Sequence, residues 1–219
     1  ATVEGDSLPG LNLIIGSNRN ESLMYIPEGA ELSDYLEGYF PPETWNDIKV
    51  MLGPELSELA QMDRLRSAVQ YTCPSLSLAQ AAQEAGGFVY VYRFDRVREG
   101  FEVIGAYHGA ELPYVFDTHD PWMPTNAVDL QVTDALVDYW VAFLTDGSPN
   151  EFQSGRKETS DSEMGGSEIN SAETGRAMWS AWSQQQQALV IADEISTQTH
   201  PDAALCEFLN AAQVASARH

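Results

Sequence analysis

The sequence predicts an α/β fold, and three observations carry that prediction. Two runs of apolar, β-branched and aromatic residues, at 11–15 and 88–94, have the length and composition of strands. Between them, apolar residues recur at helical spacing over 54–71 and again over 75–84. A further helical pattern at 129–144 precedes a third strand-like run at 188–195. Strands that alternate with helices belong to sheets covered by helices on their faces.

Each element follows from its residues. The run at 11–15 is continuously apolar and ends in Gly16-Ser17, as expected of a strand buried on both faces. The aromatic-rich stretch 23–39 stops at Pro41-Pro42. Over 54–71, Leu56, Leu59, Ala60, Met62, Leu65, Ala68 and Val69 form a helical face. A second helix, 75–84, follows Cys73-Pro74 and is stopped by Gly86-Gly87. Phe88, Val89, Tyr90, Val91, Tyr92 and Phe94 make the clearest strand, because β-branched and aromatic residues fit a pleated, packed surface. The helix at 129–144 has Leu130, Val132, Leu136, Tyr139, Trp140 and Phe143 for one broad face, and the turn cluster 146–150 closes it. Residues 151–176 turn polar and acidic and read as a surface excursion, with little apolar area to offset the cost of ordering. Structure is expected to resume at Met178-Trp179, and no internal repeat is present.

Composition narrows the function classes. A chain of 219 residues that is 43% hydrophobic can bury one substantial core. Its formal net charge of -22, with Lys49 and Lys157 as the only lysines, argues against nucleic acid and anionic membranes as partners. So strong an acidic balance fits a solvated surface or adaptation to high salt. No window holds 18 uninterrupted apolar residues, and the first residues lack a basic segment followed by an apolar core, so neither a membrane span nor a retained signal peptide is expected. Cys73 and Cys206 lie far apart and in no metal-ligand spacing, which argues against zinc. Two free thiols and a disulfide both remain open at this point.

Four histidines limit the choice of a catalytic base. His219 is terminal, and His200 sits in Thr199-His200-Pro201-Asp202, which reads as a turn. His119 lies among Asp117 and Asp120, but the oxygens lack a metal-loop spacing, so no metal site is expected. His108 stands between Gly105-Ala106 and Gly109, just before the apolar run 112–116 that anchors its loop. An imidazole that acts as general base needs a carboxylate on its other nitrogen, and Glu21, in the loop after the first strand, is the candidate. Acid before histidine, each on a loop beyond a strand, is the order of the second and third triad members in α/β-hydrolases. Neither Gly-x-Ser-x-Gly nor a glycine-rich oxyanion segment occurs in the chain. Gly5-Asp6-Ser7-Leu8 spells the signature of another serine hydrolase class, but its preceding segment is a poor strand and no Asp-x-x-His accompanies it, so Ser7 reads as a loop residue.

These segments resemble the type B carboxylesterases, the family that includes the cholinesterases. Gly16 to Ser22 is similar to the family's G-x-N-x-x-E segment, and Tyr107-His108-Gly109-Ala110-Glu111-Leu112-Pro113-Tyr114-Val115-Phe116 to its H-G-x-E-x-x-Y-V-F segment. Tyr90 to Asp95 resembles the strand before it, and Trp140, Phe143 and Gly147-Ser148-Pro149-Asn150 resemble its W-x-x-F and G-x-P-N. The resemblance spans nearly the whole chain but only the C-terminal portion of the family, with 8–11 shortened and 151–176 expanded.

The resemblance implies an α/β-hydrolase fold, this chain forming the C-terminal part of the mixed sheet with its flanking helices. It implies a carboxylic ester hydrolase that needs no cofactor, with Glu21 and His108 as catalytic residues and a small ester as substrate. The nucleophilic serine and the oxyanion hole would come from an N-terminal part, the chain's expected partner, and this segment alone would be inactive. The rival expectation is a catalytically inactive relative that serves in binding or adhesion. The cysteines match places where many members carry a disulfide, which implies a Cys73–Cys206 bridge and a secreted or periplasmic location. Trp122 and Phe116 could face a substrate entrance or fill the core.

Overall fold

The computed structural model describes residues 10–151 and 176–216. Ser7, His219 and all but the ends of the polar stretch 151–176 lie outside the described residues. Among the described residues four strands form one sheet: β1 (Leu13–Asn18), β2 (Val89–Phe94), β3 (Gln187–Ile191) and β4 (Ile195–Thr199), in that spatial order. The first three are parallel, and β4 returns antiparallel to β3 through a tight hairpin. The strand-like run at 188–195 thus covers β3, a turn and the first residue of β4. The second strand escapes the sequence reading because Ile-Ser-Thr-Gln-Thr is a polar edge that buries little.

Among the described residues seven α-helices flank the sheet: α1 (Leu32–Tyr39), α2 (Trp45–Leu52), α3 (Glu58–Ser67), α4 (Cys73–Glu84), α5 (Leu112–Val115), α6 (Ala127–Asp146) and α7 (Ala203–Ser216). Alternation along the strands separates the two cores. Val89, Val91 and Ala188 face a layer built from α1, α2, α3, α4 and α7, with Leu36, Ile48, Leu52, Leu65 and Leu209 at its centre. Tyr90, Phe94, Leu189 and Ile191 face the other side, where α6 contributes Val132, Leu136 and Tyr139, and Trp179 is fully buried. The chain is therefore a helix–sheet–helix sandwich.

α6 begins with a capping box in which Asn126 accepts from the Val128 and Asp129 N–H groups while Asp129 accepts from the Asn126 N–H. Between α3 and α4 the helix does not stop at Pro74 but passes through a π-turn, Ala68–Thr72, and Pro74 is accommodated in the first turn of α4. Cys73 at the start of α4 and Cys206 on α7 form a disulfide with Cα atoms 5.1 Å apart. Beside it, Arg93 of β2 and Arg64 of α3 both pair with the buried Asp202 that precedes α7. These cross-links fix α7, remote in sequence, onto the same layer as α3 and α4.

β1 has β2 on one side, and among the described residues no strand pairs with its other side. Leu13, Ile14 and Ile15 are only half-buried there. No helix among the described residues is long and apolar enough to cross a membrane.

Candidate active site

The parallel strands β1 and β2 end on the same rim of the sheet, in register from Leu13 opposite Val89 to Asn18 opposite Phe94. The chain leaving β1 turns immediately into Asn20-Glu21-Ser22, and the chain leaving β2 runs out to Phe101 before returning through Gly105-Ala106. The two loops are stitched by a short parallel bridge between Asn20 and Tyr107. The Asn20 N–H donates to the Ala106 carbonyl (3.0 Å), and the Ala106 N–H donates to Asn20 Oδ1 (3.0 Å). Gly105 is required at this crossing: its φ is +63°, and a Cβ there would lie 2.2 Å from Asn20 Oδ1.

This stitching brings Glu21 and His108, distant in sequence, into contact. Glu21 Oε2 lies 2.6 Å from His108 Nδ1, and Glu21 Oε1 accepts the Asn18 N–H at 2.7 Å. A carboxylate is an acceptor, so Nδ1 carries the proton and Nε2 keeps its lone pair. No hydrogen bond among the described residues engages Nε2, and the imidazole side chain is 47% exposed while Glu21 is 5% exposed. Burial pushes the Glu21 carboxyl above its ordinary value, while the Asn18 N–H and His108 pull it back down. One nitrogen is fixed and the other is open toward solvent, which is the arrangement a general base requires.

Several neighbours to which the sequence assigns no role hold this pair. Asn18 donates its side-chain amide to the Tyr107 carbonyl (2.7 Å) and to Glu111, so it spans both loops. Buried Asp63 of α3 accepts from Asn20 and Ser22, on either side of Glu21. The π-turn carries Tyr71, whose ring centroid is 5.1 Å from that of His108, and Thr72, whose hydroxyl meets Ser17 at 2.8 Å. A π-turn carries no sequence signature, so these contacts had none to offer.

The other candidates are elsewhere. His200 is 2% exposed, and its Nδ1 accepts the Asp202 N–H at 3.1 Å, so it closes the turn before α7. His119 is held between Arg98 and Thr133. No group of three or more potential metal ligands is assembled among the described residues. Phe116 and Trp122 are 67% and 68% exposed, so neither fills the core; Trp122 packs against Phe101, which stacks on Tyr107 beside His108.

Comparison with known proteins identifies the family and the fold. The profile described as "Carboxylesterase family" matches residues 53–209, well over half of the chain. Among solved structures, EstA of Aspergillus niger superposes with a TM-score of 0.68 at 17% identity, over 93% of this chain and 40% of its own length. A PNB esterase superposes with a TM-score of 0.59 at 19% identity, over 92% of this chain and 38% of its own. The fold is that of the α/β-hydrolases, and the chain spans about two-fifths of the length of these structures. No curated protein sequence matches it.

Proposed function

We propose that this chain, which belongs to the carboxylesterase family, supplies the acid and the base of a serine carboxylic ester hydrolase. The observation that carries the reading is the Glu21–His108 hydrogen bond of 2.6 Å with Nε2 left open on the strand-end rim. In the cycle, Nε2 of His108 takes the proton of a serine hydroxyl as that oxygen attacks the ester carbonyl. The same nitrogen then protonates the departing alkoxide, and an acyl-enzyme remains. In the second half His108 draws a proton from water, which attacks the acyl carbonyl, and the proton returns to the serine. Glu21 holds the reactive tautomer and stabilises the imidazolium that forms in each half.

The serine and the oxyanion donors are assigned to an N-terminal part of the same protein, and the described residues are the C-terminal portion of one α/β-hydrolase domain. Three observations support this division. The chain contains no Gly-x-Ser-x-Gly. Among the described residues the outer edge of β1 is unpaired, and its residues are only half-buried beside the parallel strands β2 and β3, strands of a kind that are covered when a sheet is complete. Each structural relative continues well beyond the matched region. The Cys73–Cys206 disulfide supports a secreted or periplasmic location, because such bridges persist in oxidising compartments.

The test is fluorophosphonate treatment of the full-length protein followed by peptide mapping. Label on a Gly-x-Ser-x-Gly serine outside residues 1–219, abolished by His108→Ala, is the expected result. A full-length protein with that serine replaced, and with no label, would instead be a binding relative.

A further inference from the structure

Asp63 has no place in the chemistry above, yet it is 2% exposed and accepts three hydrogen bonds. Its Oδ1 takes the Ser22 N–H (3.1 Å) and the Ser67 hydroxyl (3.1 Å), and its Oδ2 takes Asn20 Nδ2 (2.8 Å). Asn20 and Ser22 are the immediate neighbours of Glu21 in sequence, so one carboxylate grips the chain on both sides of the triad acid. Asn20 then reaches the other way, its Oδ1 accepting the Ala106 N–H two residues before His108.

We propose that Asp63 is a positioning residue that couples the Glu21 turn to the His108 loop by fixing which way the Asn20 amide points. The proposal rests on the reading of Glu21 and His108 as triad partners. An amide has one donating and one accepting end, whereas an ionised carboxylate only accepts. With Nδ2 committed to Asp63, Oδ1 must face Ala106, and the space left by the absent Gly105 Cβ is where that oxygen sits. Burial raises the Asp63 carboxyl from its ordinary value, and its three donors and the more distant Arg19 oppose that shift, so the donors favour the form the coupling needs. A neutral amide at position 63 defeats the arrangement. If it keeps its oxygen on Ser22, its NH2 confronts Asn20 Nδ2. If Asn20 turns over to accept from it, two donors meet at Ala106.

That logic predicts a rescue. In the double variant Asn20→Asp/Asp63→Asn, the carboxylate at position 20 accepts both from the Ala106 N–H and from the amide at position 63, whose oxygen still serves Ser22 and Ser67. Arg19 Nε, already 3.2 Å from Asn20 Oδ1, neutralises the relocated charge. The experiment uses the full-length protein with two readouts: turnover of p-nitrophenyl acetate, and the low-field proton resonance of the His108 Nδ1–H. Asp63→Asn alone is expected to lower kcat by roughly 10- to 100-fold with KM changed by no more than about twofold, because a small displacement of the pair acts on the chemical step. The resonance should broaden or shift in parallel, and the double variant should return kcat to within about threefold of wild type and restore the resonance. An Asp63→Asn protein with wild-type kcat and resonance overturns the proposal, and so does a double variant no better than the single one. If the wild-type protein turns over no ester, the esterase reading fails, and the resonance in the two variants still decides the role of Asp63.

Discussion

His108 and His119 sit on the same excursion of chain between β2 and α6, eleven residues apart, and have opposite environments. His108 has a carboxylate on Nδ1 and nothing among the described residues on Nε2. His119 has both nitrogens occupied: Arg98 donates to Nδ1 at 2.7 Å, and Nε2 lies 2.7 Å from the Thr133 hydroxyl, which itself donates to the Asp129 carbonyl. Those partners admit one tautomer, neutral, with the proton on Nε2. Burial, then the Arg98 guanidinium, push the His119 pKa below its ordinary value. Arg98 also lies 4.5 Å from the centroid of Tyr114, so His119 is one link in the packing of α5 on α6. The two sites teach that a base is recognised by its vacancy and by the sign of its partner. A histidine flanked by Asp117 and Asp120 in sequence is paired in space with an arginine.

The sharpest way to break this comparison is to remove the carboxylate. Glu21→Gln keeps the shape but no longer dictates the tautomer of His108, and kcat of the full-length protein should fall by about 10⁴-fold, as expected when a triad acid becomes an amide. A loss under about tenfold would make His108 no more catalytic than His119.

Next in size is a change remote from both histidines. Replacing Cys73 and Cys206 by serine opens a link across 133 residues and should cost roughly 2 to 5 kcal/mol in denaturant unfolding. The residual enzyme should keep its kcat, since the disulfide braces α4 and α7 rather than the rim.

His200 supplies a third environment and a pH signature. Burial holds its pKa at about 4, against an ordinary 6.5, so the unfolded chain binds a proton there that the folded chain does not. Its contribution is complete above about pH 6.5 and is lost as the pH falls toward about 4, amounting to about 3 kcal/mol. Unfolding midpoints across that window should fall less steeply in His200→Asn than in wild type; identical slopes would refute the assignment. Smallest of all, His119→Gln should cost about 1 to 3 kcal/mol in stability from the unpaired Arg98 and Thr133 groups, with kcat nearly unchanged. A collapse of kcat with stability intact would reverse the roles of the two histidines.

The fold was legible where hydrophobic pattern decides it. β1, β2 and α6 lie within a few residues of their expected bounds because Ile14, Val91 and Leu136 belong to unbroken periodic runs. α1, α2 and α7 gave no usable signal. α1 and α2 are eight residues each between proline-rich turns, and in α7 the buried Leu205 and Leu209 are too few to set a helical period apart from the alanines around them. At the site, Glu21 and His108 could be named from residue type, loop position and family resemblance, whereas Asp63 and Tyr71 could not, and Asn18 stands in the G-x-N-x-x-E segment without a role. Each acts through a contact between segments far apart in sequence, and Asp63 in particular reads as an ordinary polar residue of α3 until the Glu21 turn is folded against it.

The most direct test of the account is rapid-mixing measurement of acylation in the full-length protein, comparing wild type with His108→Gln. The account predicts a burst of p-nitrophenol close to one equivalent per protein from p-nitrophenyl acetate in the wild type, and its loss in the variant. A burst of equal rate and size in both proteins would show that the base lies elsewhere and would contradict the assignment of His108.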